Sequence, residues 1–226
     1  MLPSQTVENY LKTIYLAQGA LPSKKDLVPM GQLAASLGVV PGTATTMVKA
    51  LAESGLVRYE PYMGVRLTSA GEKLASLVSR RHRLIELFLV KVLGMSWAEV
   101  HDEAEQLEHA VSEGLIERID EMLGRPEVDP HGDPIPTAEG TLPRHDSFDL
   151  LTSPLDTPLV VTRVIDQDPG FLRFAEQHAL VPGSAVVILE RDPSSDAVRL
   201  RADDGRTTTI GTRAASKVLV RPKSML

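Results

Sequence analysis

Apolar residues recur at helical spacing through the first half of the chain and fall in short β-like runs through the second. A mainly α fold with a small β domain is therefore expected. Val7, Leu11, Ile14, Tyr15 and Leu16 mark a first helix that Gly19 to Pro22 ends, and Leu33, Ala34 and Leu37 give a short second one over 30–37. Gly38-Val39-Val40-Pro41-Gly42 then turns the chain into a third helix, from about Thr43 to Ser54, with Ala44, Met47, Val48 and Leu51 facing inward. Past Gly55, residues 56–60 and 65–68 alternate as two strands around Pro61-Tyr62-Met63-Gly64. Short helix, tight turn, helix and hairpin in this order predict a winged helix-turn-helix over residues 1–73.

A long helix follows from Gly71 to Leu93, carrying Leu74, Leu77, Val78, Ile85, Leu87 and Leu89. The next runs from Trp97 to Leu123 and is stopped by Gly124-Arg125-Pro126. Two such amphipathic helices hold more apolar surface than residues 74–140 can bury alone. A two-fold dimer solves this, because one patch then covers its own copy. Prolines at 126, 130, 134, 136, 143, 154 and 158 predict an irregular connection, with a linker over 141–157. Beyond it, apolar runs at 159–165, 185–189, 198–200, 207–210 and 217–220, with a helix near 170–178, predict a small β-barrel over 158–226.

Composition narrows the chemistry. At 226 residues and 42% hydrophobic, with no apolar run approaching a membrane span, the chain reads as soluble. Its N-terminal stretch lacks a secretory signal pattern, so a cytoplasmic location is expected. The absence of cysteine excludes disulfides, thiolate zinc and iron–sulfur centres, so any metal must be held by nitrogen and oxygen. The net charge of -6 is uneven: residues 1–73 carry seven Lys/Arg against five Asp/Glu, and residues 74–140 carry six against fourteen. A pI near 5.5 argues against non-specific coating of nucleic acid but leaves room for a small DNA-reading module. Thr43, Thr45 and Thr46 can hydrogen-bond bases or face thymine methyls, and Lys49 and Arg66 can reach phosphates. Pro41, in the turn before them, completes the DNA-facing set.

The acidic excess surrounds one stretch, His101-Asp102-Glu103-Ala104-Glu105-Gln106-Leu107-Glu108-His109. On a helix it lines up His101, Glu105, Glu108 and His109 with no Lys or Arg among them. Adjacent carboxylates repel unless one is protonated or a cation sits between them. The plain alternative is an exposed acidic helix. On the preceding helix Glu86 follows His82 by four residues and shares its face. An enzyme is not expected, since neither a G-x-S-x-G nucleophile motif nor a Gly-rich phosphate loop is present. A metal hydrolase and a non-catalytic metal-binding adaptor stand as alternatives to a regulator.

The whole chain resembles the iron- and manganese-dependent repressor family that includes the diphtheria toxin repressor and the manganese transport regulators. The matching segments are residues 10–15 (Tyr-Leu-Lys-Thr-Ile-Tyr), 67–71 (Leu-Thr-Ser-Ala-Gly), 81–86 (Arg-His-Arg-Leu-Ile-Glu), Val100 through His109, and 131–136 (His-Gly-Asp-Pro-Ile-Pro). Its C-terminal part, on Leu180-Val181-Pro182-Gly183, is similar to the SH3-like (FeoA-like) barrel that longer members append. The resemblance implies a homodimeric, metal-activated repressor of metal uptake genes on palindromic double-stranded operator DNA, with no membrane partner and no small organic ligand. It also implies two metal sites per protomer. His82, Glu86 and His101 would form one, completed by Asp166 or Asp168 from the barrel; Glu105, Glu108 and His109 would form the other with Asn9 from the first helix. Iron-type members place methionine and cysteine where this chain has Asn9 and Glu105; short manganese-type members place carboxylates at both and a further acid where Lys12 stands. An oxygen-rich set with imidazole points to Mn²⁺, with Fe²⁺ as the alternative.

Overall fold

The computed structural model describes residues 4–21, 23, 26–143 and 147–223. Pro22, part of the expected stop of the first helix, lies outside them. The chain forms two compact units, Met1–His82 with Pro136–Leu142 and Arg83–Ile135 with Pro143–Leu226. The division falls inside one continuous helix.

In the first unit, α1 (Gln5–Gly19) is capped by Ser4, whose side chain accepts from the Val7 amide at 3.4 Å. Helices α2 (Met30–Ser36) and α3 (Pro41–Glu53) follow, joined through Gly38 at φ +63°, a conformation that glycine adopts without strain. Helix α3 starts two residues earlier than the apolar pattern suggests, because a proline in the first turn loses no helical hydrogen bond and its fixed φ suits the start. Strands β1 (Val57–Glu60) and β2 (Gly64–Leu67) pair antiparallel as the wing, with Arg58 opposite Arg66. Leu11, Ile14, Leu33, Ala44, Val48, Val57 and Val65 share one buried core, which fixes the helix-turn-helix and its wing. Val28 and Val65 exchange backbone hydrogen bonds of 2.8 and 3.0 Å and anchor the root of the wing. Helix α4 (Ser69–Lys91) leads out of this unit.

The second unit corrects one expectation about the helices. The single helix foreseen over 97–123 is two, α5 (Val100–Leu107) and α6 (Glu113–Met122). Ser112 is the cause: its hydroxyl accepts from the Leu115 amide at 3.3 Å, and serine competes poorly inside a helix but well at its start. Replacing Ser112 by alanine is expected to cost about 1 kcal/mol of stability, measured by chemical denaturation; an unchanged midpoint would show that the cap contributes nothing. Leu84, Ile85, Val100, Ala104, Ile116 and Ile135 close a second core around these helices.

The linker contains a strand that the proline-rich sequence hides, β3 (Phe148–Asp149). The remaining elements are β4 (Pro158–Val164), α7 (Pro169–Gln177), β5 (Ala185–Asp192), β6 (Ala197–Ala202), β7 (Thr207–Gly211), α8 (Thr212–Ala215) and β8 (Val218–Pro222). They form a six-stranded antiparallel sheet in the order β3-β8-β4-β5-β6-β7. Among the described residues β3 and β7 are its edges, so the hydrogen bonding defines a sheet where a barrel was expected. Leu159, Val161, Val186, Ile188, Val198, Leu200, Val218 and Val220 meet Leu172 of α7 and Trp97 in its core. Among the described residues no helix is long and apolar enough to cross a membrane.

Candidate metal centre

Helix α4 buries its polar residues as well as its apolar ones between Arg80 and Glu86, so each charged group there is placed rather than solvated. Arg81 pairs with Glu8 of α1 at 2.7 Å, and Arg80 donates to the Pro136 carbonyl at 3.1 Å. His82 and Glu86 stand one turn apart on this helix, 7% and 0% exposed.

Helix α5 brings the second set. His101 Nδ1 lies 3.3 Å from Glu86 Oε1, and its Nε2 lies 3.7 Å from Glu105 Oε1, so one imidazole spans two carboxylates. Glu108 is fully buried where α5 ends, and His109 Nε2 stands 3.3 Å from its Oε1. Donor atoms of His82, Glu86 and His101 all lie within 4.8 Å of one another, and those of His82, Glu105 and Glu108 do so as well. The first group is the one the resemblance implied. The second differs in membership: Glu105 and Glu108 gather with His82, and His109 joins through Glu108. Two buried groups of this kind are consistent with two metal sites per protomer. The donors are imidazole nitrogens and carboxylate oxygens at coordinating proximity, and clustered acids out of water are relieved by a cation. This set fits a first-row divalent ion.

Other expected ligands have different company. Asn9 is half-buried on α1, where its backbone carbonyl accepts from the Thr13 hydroxyl at 2.8 Å. Asp166 forms an ion pair with Lys217, a hydrogen bond that holds its carboxyl below the usual carboxylate range. Asp168 caps α7 by accepting from the Phe171 amide at 3.0 Å. Among the described residues neither Asp166 nor Asp168 belongs to a group of clustered His, Asp and Glu donors.

In the helix-turn-helix, Pro41 opens α3 and Thr43, Thr46 and Lys49 are exposed along it. Thr45 is half-buried. The hydroxyls of Thr45 and Thr46 donate to the Pro41 and Gly42 carbonyls at 2.8 and 3.0 Å, leaving their lone pairs to accept. Arg66 is half-buried on the wing, and Arg58, exposed directly across the hairpin, adds a cation that the sequence reading passed over. Cross-strand pairing was the available signal.

Sequence reasoning also missed a turn in the second unit. Asp129, His131 and Asp133 are buried, and His131 Nε2 lies 2.7 Å from the Trp97 carbonyl. Burial pushes the Asp129 carboxyl well above the usual range, and the charges of Asp133 and Glu86 push the same way.

Comparison with known proteins accounts for this layout. Residues 3–65 match the family described as "Iron dependent repressor, N-terminal DNA binding domain", residues 68–137 match "Iron dependent repressor, metal binding and dimerisation domain", and residues 150–222 match the FeoA domain. The iron-dependent repressor IdeR of Mycobacterium tuberculosis is 32% identical over 197 residues, covering 81% of this chain and 83% of its own. The regulator MntR of Lysinibacillus sphaericus is 33% identical over 129 residues, 57% of this chain and 89% of its own. A solved manganese-dependent transcriptional repressor in complex with manganese superposes with a TM-score of 0.87 at 40% identity, covering 96% of this chain and all of the other. The likeness thus runs over nearly the whole length of both, and the chain belongs to the superfamily of metal-dependent transcriptional repressors that contains the iron-dependent, manganese-dependent and diphtheria toxin repressors.

Proposed function

We propose that Mn²⁺ is the activating ion of this chain, a metal-activated transcriptional repressor, and that Fe²⁺ is its nearest competitor. The observation that carries the choice is the sulfur-free donor array of His82, Glu86, His101, Glu105 and Glu108, in a chain without cysteine. Hard oxygen donors with imidazole favour Mn²⁺ over ions that prefer thiolate. Similarity to a repressor solved with manganese supports the same reading, and similarity to iron-dependent repressors keeps Fe²⁺ in the comparison.

When bound, the ion supplies positive charge among the carboxylates. Glu105, Glu108 and His109 would hold it from the α5 end, and Asn9 on α1 is the ligand proposed from the DNA-reading unit. Glu86, His82 and His101 would hold a second. A ligand shared between α1 and α5 would order α1 and set the separation of two reading helices in a homodimer, each presenting Thr43, Thr45, Thr46 and Lys49 to a major groove of a palindromic operator. Arg58 and Arg66 of the wing are suited to phosphates. The dimer is proposed through the helical region, where Leu107, Leu115 and Met122 are exposed and residues 68–137 match a dimerisation domain. The C-terminal sheet is proposed to be an SH3-like barrel of the FeoA type. Repression of metal uptake genes follows as the biological role.

The test is a titration of Mn²⁺, Fe²⁺ and Zn²⁺ into the chelator-stripped full chain, read as affinity for duplexes selected from a random pool by metal-loaded protein. Mn²⁺ is expected to tighten binding on the order of 10–100-fold, within the usual range of allosteric coupling. Equal affinity with and without metal would overturn the reading, and a response to Fe²⁺ alone would transfer it to iron.

A further inference from the structure

Glu86 turns only one of its oxygens toward His101. The other, Oε2, lies 3.8 Å from Nδ1 of His131, and that nitrogen is 3.9 Å from Oδ1 of Asp129. All three residues are buried, Glu86 and His131 completely. A carbonyl can only accept, so the Trp97 oxygen at 2.7 Å places the proton of a neutral His131 on Nε2 and leaves the lone pair on Nδ1. An imidazole whose far nitrogen donates to a backbone carbonyl is the arrangement that backs metal-bound histidines. Trp97 holds the ring further by stacking on it, centroids 5.6 Å apart. Asp129 is aimed as firmly: its Oδ1 accepts from the His131 and Asp133 amides at 2.8 and 2.9 Å.

Among the described residues His131 Nδ1 and Asp129 Oδ2 have no hydrogen-bond partner. The 3.8 and 3.9 Å separations are too long for hydrogen bonds. The 3.8 Å between Glu86 Oε2 and His131 Nδ1 suits two donors of one ion, with metal–ligand bonds of about 2.0–2.2 Å at a wide angle, and Asp129 offers a carboxylate oxygen within 4.8 Å of the other two donors. Arg83 is the nearby cation, its Nε 3.9 Å from Asp129 Oδ2, but it also donates to the Pro134 carbonyl and brings one charge to two carboxylates. The third acid, Asp133, is met by Arg163 and by Gln167 at 2.7 Å.

We propose that Glu86, Asp129 and His131 form a third divalent-cation site, with Glu86 dividing its oxygens between this ion and the one held with His101. The ligand is a first-row divalent ion that accepts one imidazole and two carboxylates. It pins the 129–135 turn to α4, and the turn in turn holds β4, whose Val164 amide donates to the His131 carbonyl at 2.8 Å. The site shares Glu86 with the function proposed above and is otherwise independent of it.

Mn²⁺ alone is the probe. The chelator-stripped full chain, dialysed to equilibrium with Mn²⁺ and analysed for metal content, is expected to hold three ions per protomer. Asp129→Asn keeps an oxygen to accept the two amides but removes the charge, and is expected to hold two. Glu108→Ala is expected to lose an ion of the other set and keep this one. Spin coupling between ions sharing Glu86, seen by electron paramagnetic resonance in the wild type, is expected to vanish in Asp129→Asn. Saturation of the wild type at two ions would overturn the site whether or not the variant folds, as would three ions in a folded Asp129→Asn. DNA affinity is not read here, so failure of the activation reading and failure of this site are separate results.

Discussion

Replacing Glu108 and His109 together by alanine is expected to abolish the gain in DNA affinity that metal produces, while leaving metal-free DNA binding as it was. Glu108 is fully buried at the end of α5, grouped with His82 and Glu105, and His109 lies 3.3 Å from its carboxylate. The double variant removes one charge and one imidazole from a single array, so neither is left as a buried unpaired remnant. Allosteric coupling is typically worth roughly 5- to 150-fold in affinity, and the expected value for the variant is near one. The residues of α3 and the wing proposed to contact DNA are untouched, which is why basal binding is expected to persist. Glu103→Ala serves as the control: it removes an exposed acid from the same helix and belongs to no ligand group. Fluorescence anisotropy of a labelled duplex, with and without Mn²⁺, reads both. A double variant that keeps the full metal response would sink the assignment of these residues.

The largest effect on stability is expected at Gly132. Its φ is +86°, and a Cβ built there would stand 1.9 Å from the Thr162 carbonyl oxygen and 2.7 Å from the Arg163 Cα. Both obstacles are backbone of β4, so no side chain can swing aside. Gly132→Ala therefore combines left-handed strain with forced separation of the turn from the sheet, roughly 2–5 kcal/mol in all. That is a large share of the 5–15 kcal/mol typical of a folded domain. Gly183→Ala isolates the first contribution, because φ there is +93° with nothing within 4 Å of the added carbon; it is expected to cost about 1 kcal/mol. The single tryptophan, Trp97, sits in the core of the sheet and reports unfolding by fluorescence. A loss at Gly132 no larger than that at Gly183 would show that the close approach to Thr162 carries no weight.

Helical periodicity made α1 to α4 legible because each buries one face, and their apolar residues repeat accordingly. Spacing of four likewise exposed His82 with Glu86 and His101 with Glu105. It did not show that His82 gathers with Glu105 and Glu108 across two helices, because packing between elements leaves no mark in the spacing within one. The break between α5 and α6 rests on a single serine whose cap competes with a good helical pattern on either side. Strand β3 is two residues long and leaves too little alternation to detect. Asp129 and His131 were hidden for a different reason: Asp-Pro-His-Gly-Asp reads as turn chemistry, and the turn is real, but its buried side chains face the ligand-bearing helix.

In the proposed site, the carboxylate at position 105 also decides how such a sensor meets oxidants. A thiolate among metal ligands can be carried by peroxide to the sulfenic acid and beyond, and each step changes what the site can hold. The donor groups on α4 and α5 contain no sulfur, and the chain has no cysteine. Peroxide therefore finds no thiol to convert, and the response to metal is insulated from thiol redox chemistry by composition alone.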